Sequence, residues 1–387
     1  MATFASLGAA MTKKAFPEYH KALLDQVTYS GCARHIKFLE TRGSFLYKTG
    51  GEVFKLRKPY PVDRTLALRE AYAMEACLRG QRWAPGVVLD VVPIISREGG
   101  FVLGAPLGKP HRESDSVGEG TAPMHAAEER PAPGCPAESI VDYALRMRQL
   151  PEHYWADYLA RHGRLAPVSV GRVARFLAEH HQQCAAQAQL QEVGRPERFH
   201  DLASEALHEM RQCVGLALTQ PTWELIALPL SRFGQEQHRL FLRRIKKGRI
   251  VDGHGAFAPQ HVFIKGREVY AVSPLGRQAK YRVLDAANDV ACFINGLLLL
   301  DCPEQAELFR QRYASAARDR DLGEILPAYQ VLQAARRGLS LCDWLRQGQL
   351  PQPQQQQVQL QAQQCFALAA QQARAMLRPQ AASPAAQ

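Results

Sequence analysis

The chain has 387 residues, 46% apolar and 22% charged, with a formal net charge of +11 at pH 7. That length holds one large bilobal domain or two small ones with ample core. No apolar run approaches the roughly 20 residues a spanning helix needs, and the longest candidate, Val290 to Leu300, is interrupted by Asn295 and Gly296 and reads as a buried helix. The first residues lack the basic-then-apolar order of a signal peptide, since Lys13 and Lys14 follow the small apolar run; the expected compartment is the cytoplasm.

Nine cysteines are scattered singly, with no C-x-x-C and no His/Cys zinc spacing, which reads as small buried hydrophobes in a reducing compartment. The basic surplus permits nucleic-acid or anionic-surface binding. Its densest cluster, Arg239, Arg243, Arg244, Lys246, Lys247 and Arg249, is interleaved mainly with the aliphatic Leu240, Leu242 and Ile245, with Phe241 as its single aromatic. That pattern reads as a solvated helix face and argues against a nucleic-acid partner.

In chain order, residues 15 to 40 read as helical, broken at Ser30-Gly31. Residues 43 to 59 read as two strands around a Gly50-Gly51 turn. A helix follows from about Thr65 to Arg82, then a strand-rich run over 87 to 95. From Gly104 to Glu138 the composition turns to Pro, Gly, Ser, Glu and Ala; such a stretch buries too little surface to offset its ordering entropy and reads as a disordered insertion. A strand over Tyr143 to Pro151 leads into a turn at Tyr154 to Leu165 and a helix from Ser169, as cap, to about Gln191. On that helix the adjacent His180 and His181 point about 100° apart, and both read as structural. Further helices are expected over Asp201 to Leu218, Gln235 to Lys247, Pro303 to Arg318 and Leu326 to Leu345. Beyond Arg346 the chain is dominated by glutamine; Leu360, Phe366, Leu368, Ala369 and Met376 offer a terminal helix, but the flanking Pro and Gln favour a loose tail.

The most informative stretch runs Gly253-His254-Gly255-Ala256-Phe257-Ala258-Pro259-Gln260-His261-Val262-Phe263-Ile264. A turn at Lys265-Gly266-Arg267, a second short strand to Ser273, and an amphipathic helix opening at Leu284-Asp285-Ala286-Ala287-Asn288-Asp289 follow it. This frame resembles the catalytic segment of the aminoglycoside-phosphotransferase-like kinases, a bacterial family within the protein-kinase-like superfamily. There the pattern runs H-G-D-L-H-x-x-N, a hairpin, a strand ending in Asp, and I-D-x-x-x-D-L-A. Thr49-Gly50, Phe54-Lys55 and Arg57-Lys58-Pro59 resemble the family's T-G-x-x-x-Y-K-x-K-K-P. Tyr143 to Pro151 resembles Y-A-V-K-M-R-x-F-P, and Leu159-Ala-Arg-His-Gly-Arg-Leu165 resembles its L-x-x-G-x-L turn.

The resemblance implies an α+β, bilobal protein-kinase-like fold. Its N-lobe with leading helices would span 1–100, and the insertion and return to the sheet 101–141. The hinge and helical C-lobe would span 142–345, and the tail 346–387. It implies that Lys55 holds the α- and β-phosphates of ATP, that Glu75 orients Lys55, and that Met147 lies on the strand facing the adenine. The family's catalytic Asp falls on Ala256, its metal-binding Asn on His261 and its second metal-binding Asp on Ser273. Asp252 is the one acid placed to substitute, while His254, Asp285 and Asp289 support the loop. Imidazole, methyl and hydroxyl are poor partners for magnesium, a hard ion preferring oxygen ligands. The expectation is therefore a kinase-like binding or regulatory module that has lost its chemistry and has room for ATP but not for Mg. A divergent small-molecule phosphotransferase and a basic surface-binding protein stand as rivals. The partner, protein or small molecule, is not indicated.

Overall fold

In a computed structural model the described residues are 16–29, 35–41, 43–58, 65–97, 99–107, 139–184, 194–273, 279–347 and 350–377. The chain divides into two units. One comprises 1–70, 90–108 and 127–147; the other comprises 71–89, 109–126 and 148–387.

The first unit is built on a six-stranded antiparallel sheet. Its strands are β1 (Lys37–Glu40), β2 (Ser44–Lys48), β3 (Glu52–Arg57), then, after helix α1 (Leu66–Trp83), β4 (Val88–Arg97), β5 (Gly100–Leu103) and β6 (Ser139–Arg148). Their order across the sheet is β1-β2-β3-β6-β4-β5. The hairpin at Gly50-Gly51 sets β2 against β3 with Leu46 opposite Lys55. Side chains alternate along a strand, so Phe45, Tyr47, Phe54, Leu56 and Ala144 enter one core with Tyr19, Leu23 and Tyr29. Lys55 on β3 and Met147 on the neighbouring β6 belong to the opposite face.

The structure departs from expectation twice in this unit. The segment before β2 is only partly helical: among the described residues it forms three short 3-10 helices, Glu18–His20, Ala22–Leu24 and Gln26–Tyr29, and then strand β1 instead of an α-helix. Pairing decides it, because Phe38 lies opposite Tyr47 in the ladder and packs its ring 5.3 Å from it, a non-local contact that overrides local propensity. The hairpin at Gly99-Gly100 adds β5 against β4, a strand not expected from the sequence; it ends at Leu103, just before the Pro-rich composition begins at Gly104. The Pro-rich stretch from 108 to 138 lies outside the described residues.

The second unit takes α1 from Ala71 onward and continues with α2 (Ala156–Arg161), α3 (Pro167–Cys184), α4 (Pro196–Arg211), α5 (Gln220–Glu236) and α6 (His238–Lys246). Strand β7 (Ile250–Asp252), the hairpin β8 (Val262–Lys265) and β9 (Glu268–Ala271), and β10 (Val283–Asp285) follow. Helices α7 (Ala287–Leu298), α8 (Pro303–Ala317), α9 (Leu322–Arg346) and α10 (Gln352–Leu377) complete it. α3 opens at Pro167, whose fixed φ suits the first helical position, so Ser169 lies inside the first turn instead of capping it. Where one helix was expected to run to Leu218, α4 stops at Arg211 and the separate α5 begins, capped by the Thr219 side chain accepting from Thr222 N–H at 3.3 Å. α7 is buried around nearly its whole circumference rather than on one face.

The glutamine-rich segment corrects the loose-tail reading. α10 lays Val358, Ala362, Cys365, Phe366, Ala369 and Ala373 into the interior against α9 and α5. Phe366 lies flat on the backbone at Gly338, where any Cβ would come within 2.7 Å of its ring. Glutamines cover the outer face, and an amphipathic stripe was present under a low-complexity composition. Phe366 is 1% exposed, so Phe366→Ala is expected to destabilise the chain by about 3–5 kcal/mol, read as a lowered midpoint in urea unfolding.

Candidate active-site loop

The loop leaves β7 at Asp252 and is shaped by one carboxylate. Asp289, 2% exposed in the first turn of α7, accepts the backbone N–H of His254 at 2.7 Å and of Gly255 at 2.8 Å. His181 Nε2 lies 3.3 Å from the same carboxylate, and His181 Nδ1 lies 2.7 Å from the Tyr313 hydroxyl. Gly253 makes this approach sterically feasible, since a Cβ there would stand 2.5 Å from Asp289 Oδ2, and Gly255 takes the left-handed φ of +78° that the turn requires. His254 is fully buried, its ring 5.2 Å from Trp83 and 5.7 Å from Phe257. Trp83 in turn stacks on His180 at 4.7 Å.

Beneath the loop, β7 pairs with β10 so that Ile250 faces Asp285. Asp285 accepts Arg244 Nε at 2.5 Å and Nη2 at 2.7 Å, and Asp319 takes the same guanidinium at 2.7 and 2.9 Å. Arg244 is fully buried. Burial works against its charge, but the two carboxylates more than offset that and raise its pKa. The basic stretch is therefore not one solvated face: its central arginine is a core residue, while Arg243 reaches Glu324 and Lys247 reaches Asp321.

Asp252 is held by arginines. Arg79 clasps both its oxygens at 3.1 and 3.0 Å, Arg282 donates to Oδ1, and Arg82 donates to its backbone carbonyl at 2.8 Å. Burial acts to raise the carboxyl's pKa, yet the hydrogen bonds and charge of Arg79, then Arg282 and Arg82, hold it below the ordinary range. Glu75 joins the same network, accepting Arg79 Nε at 3.2 Å and Arg282 Nη2 at 3.4 Å. None of these arginines was expected from the sequence; the signal available for Arg79 and Arg82 was their helical spacing from Glu75 on one face of α1. Arg282 carried no local signal.

Backbone bonds run from Ala256 through the loop into the hairpin. Ala258 N–H donates to Ala256 O at 2.9 Å, His261 N–H to Ala258 O at 2.8 Å, and Val272 N–H to His261 O at 2.8 Å, which ties the residue before Ser273 to His261. Ala256, His261 and Ser273 are each partly exposed, and Ser273 adopts a left-handed φ of +67°. Among the described residues no group of three or more His, Cys, Asp or Glu is arranged to hold a metal ion. The donors at the two expected metal positions are an imidazole and a neutral hydroxyl, a poor fit for magnesium.

No family model and no curated protein matches the sequence. Solved structures do. A thermostable mutant of aminoglycoside phosphotransferase APH(4)-Ia superposes with a TM-score of 0.50 at 12% identity, over 92% of this chain and 98% of that one. The chain has an aminoglycoside-phosphotransferase-like, protein-kinase-like fold. Also similar are aminoglycoside 2'-phosphotransferase-IIIa, solved in its GDP complex (TM-score 0.48, 14% identity, 91% and 99% of the two chains), and choline kinase from Cryptosporidium parvum Iowa II (0.47, 10%, 88% and 89%). At these identities the likeness is one of fold. Within this kinase-like fold Lys55 stands on β3 and Met147 on the adjacent β6, and burial lowers the Lys55 amine to about 8. Among the described residues no helix is long and apolar enough to cross a membrane.

Two measurements check this loop. Asp289→Ala leaves two loop amides and His181 without their acceptor inside the protein; at about 1–3 kcal/mol for an orphaned buried group, the expected loss is at least 3 kcal/mol by urea unfolding. Because the folded pKa of Asp252 lies below its ordinary 3.8, its contribution is fully present above that value and is lost as pH falls through the lower folded value. The stability gap between the wild type and Asp252→Asn should therefore be constant from pH 7 to about 5 and shrink below pH 4.

Proposed function

We propose that the chain is a kinase-like binding module that takes a nucleotide without transferring its phosphoryl group. The observation that carries this reading is the loop: its backbone is held in place by Asp289, while the catalytic position is the methyl group of Ala256. Phosphoryl transfer depends on in-line positioning, metal neutralisation of charge and a carboxylate that orients the attacking hydroxyl. A methyl group can neither accept a proton nor orient a hydroxyl. Among the described residues the neighbouring acids are engaged: Asp252 is occupied by Arg79 and Arg282, and Asp285 by Arg244. A divergent phosphotransferase using either acid would first have to break those pairs. A basic surface-binding role loses the central residue of its cluster, since Arg244 is interior.

In this reading Lys55 meets the phosphates as an ammonium and the β6 strand at Met147 meets the base, with no magnesium held by His261 or Ser273. Soluble partners beyond the nucleotide and a cytoplasmic location belong to the same proposal.

The test is thermal unfolding in the presence of ATP, with and without magnesium or manganese, alongside an assay of ATP turnover. At 100 times its Kd, ATP should stabilise the chain by about 2.7 kcal/mol, equally with and without metal. The shift should vanish in Lys55→Ala. It should also weaken between pH 7 and 9, because the Lys55 amine becomes neutral as pH rises through about 8, and a neutral amine does not pair with phosphate. Metal-dependent ATP turnover that Lys55→Ala abolishes would overturn the proposal.

A further inference from the structure

The helical unit holds a second reactive cluster, unrelated to the loop. Cys213, in the turn that follows α4, and Cys342, near the end of α9, are both fully buried, and the Cys342 thiol is hydrogen-bonded to Cys213. Arg346, one helical turn beyond Cys342, forks between two partners: Nη1 lies 2.9 Å from Asp343 and Nη2 donates to Cys213 Sγ at 3.2 Å. Its side chain is 34% exposed, which places the sulfur pair just beneath an arginine that reaches solvent. The turn itself is rigid, with Cys213 O accepting the N–H of Leu216, Ala217 and Leu218 at 3.0, 3.1 and 3.2 Å. Beyond Cys213, Gly215 to Leu218 line a surface cavity together with Gln363 and Phe366.

We propose that Cys213 and Cys342 are a redox modification site, which a peroxide closes to a disulfide tying α9 to the turn after α4. Two donors converge on one sulfur, an arrangement that favours thiolate at Cys213 and thiol at Cys342. The directions of their titration agree: the Cys342 hydrogen bond, with help from Arg346, lowers Cys213, and donation to Cys213 raises Cys342. By contrast, burial raises Cys184, Cys292, Cys302 and Cys365, so these are poorer nucleophiles.

In the first step the Cys213 thiolate attacks one peroxide oxygen. The O–O bond breaks, hydroxide departs and is protonated to water, and Cys213 becomes a sulfenic acid. In the second, Cys342 sulfur attacks Cys213 sulfur; the S–S bond forms, the S–O bond breaks, and the hydroxyl leaves as water with the Cys342 proton. Two thiols lose two electrons, and one peroxide is reduced to two waters.

The experiment treats the reduced full chain with one equivalent of hydrogen peroxide, alkylates the remaining thiols, and maps peptides by mass spectrometry. Expected is a peptide cross-linked between Cys213 and Cys342, two hydrogens lighter than the reduced pair and released by dithiothreitol. Cys342→Ser should stop at a sulfenic acid on Cys213 that dimedone captures. Arg346→Met, which leaves both thiols in place, should slow the reaction several-fold. The proposal fails if other cysteines are oxidised while Cys213 and Cys342 are both recovered alkylated. It also fails if dimedone labels Cys342 instead of Cys213. An undiminished rate in Arg346→Met overturns the activation by arginine.

Discussion

The Asp289 carboxylate is the constraint on which the kinase-like frame depends. A buried carboxylate is costly unless its oxygens are filled, and here two loop amides and His181 fill them. The same bonds satisfy two amides in a turn that no strand or helix could serve. Gly253 is needed for the approach and Gly255 for the dihedral, so the loop's conformation follows from residues on either side of position 256. This explains how the loop keeps its shape with alanine at its centre. The bonds that hold the backbone are separate from the side chains that would act on a substrate.

Charge is distributed around this frame in two regimes. The Arg244, Asp285 and Asp319 group is fully enclosed, so removing one member would leave an uncompensated charge, at a cost of about 3–5 kcal/mol. Exposed pairs elsewhere, such as Arg243 with Glu324, contribute about 0–1 kcal/mol each. Asp252 lies between these limits, partly exposed but held by Arg79 and Arg282. Its arginines have a chemical consequence greater than their energetic one. They lower the carboxylate's basicity and occupy its lone pairs, which are poor conditions for a proton acceptor. Glu75 takes part in the same network, so an acid on α1 contributes to the setting of the loop's entry strand.

Legibility in the sequence followed the range of the interaction concerned. The Gly50-Gly51 and Lys265-Gly266-Arg267 hairpins, α1 and the glycine-flanked loop are written in contiguous residues, and each stands where its pattern put it. That Ala256, His261 and Ser273 stand in the loop and its hairpin was likewise readable, since it needs only residue identity and a local frame. The segment before β2 misled because its apolar spacing suits a helix, whereas Phe38 is held by Tyr47 across a ladder. The glutamine-rich end misled in the opposite direction: its apolar positions were visible, but the composition outweighed them because their partner, Gly338, lies in another helix.

By itself, then, the sequence determined the order of the local elements, the frame of the loop and the absence of a carboxylate at its centre, because these depend on neighbouring residues and on side-chain identity. Only the tertiary structure decided that Arg244 is interior, that Asp252 is clasped by Arg79 and Arg282, and that Cys213 meets Cys342. Each of those outcomes depends on a partner tens to hundreds of residues away, and the free energy of a buried charge or thiol is set by what surrounds it in space rather than by what adjoins it in the chain.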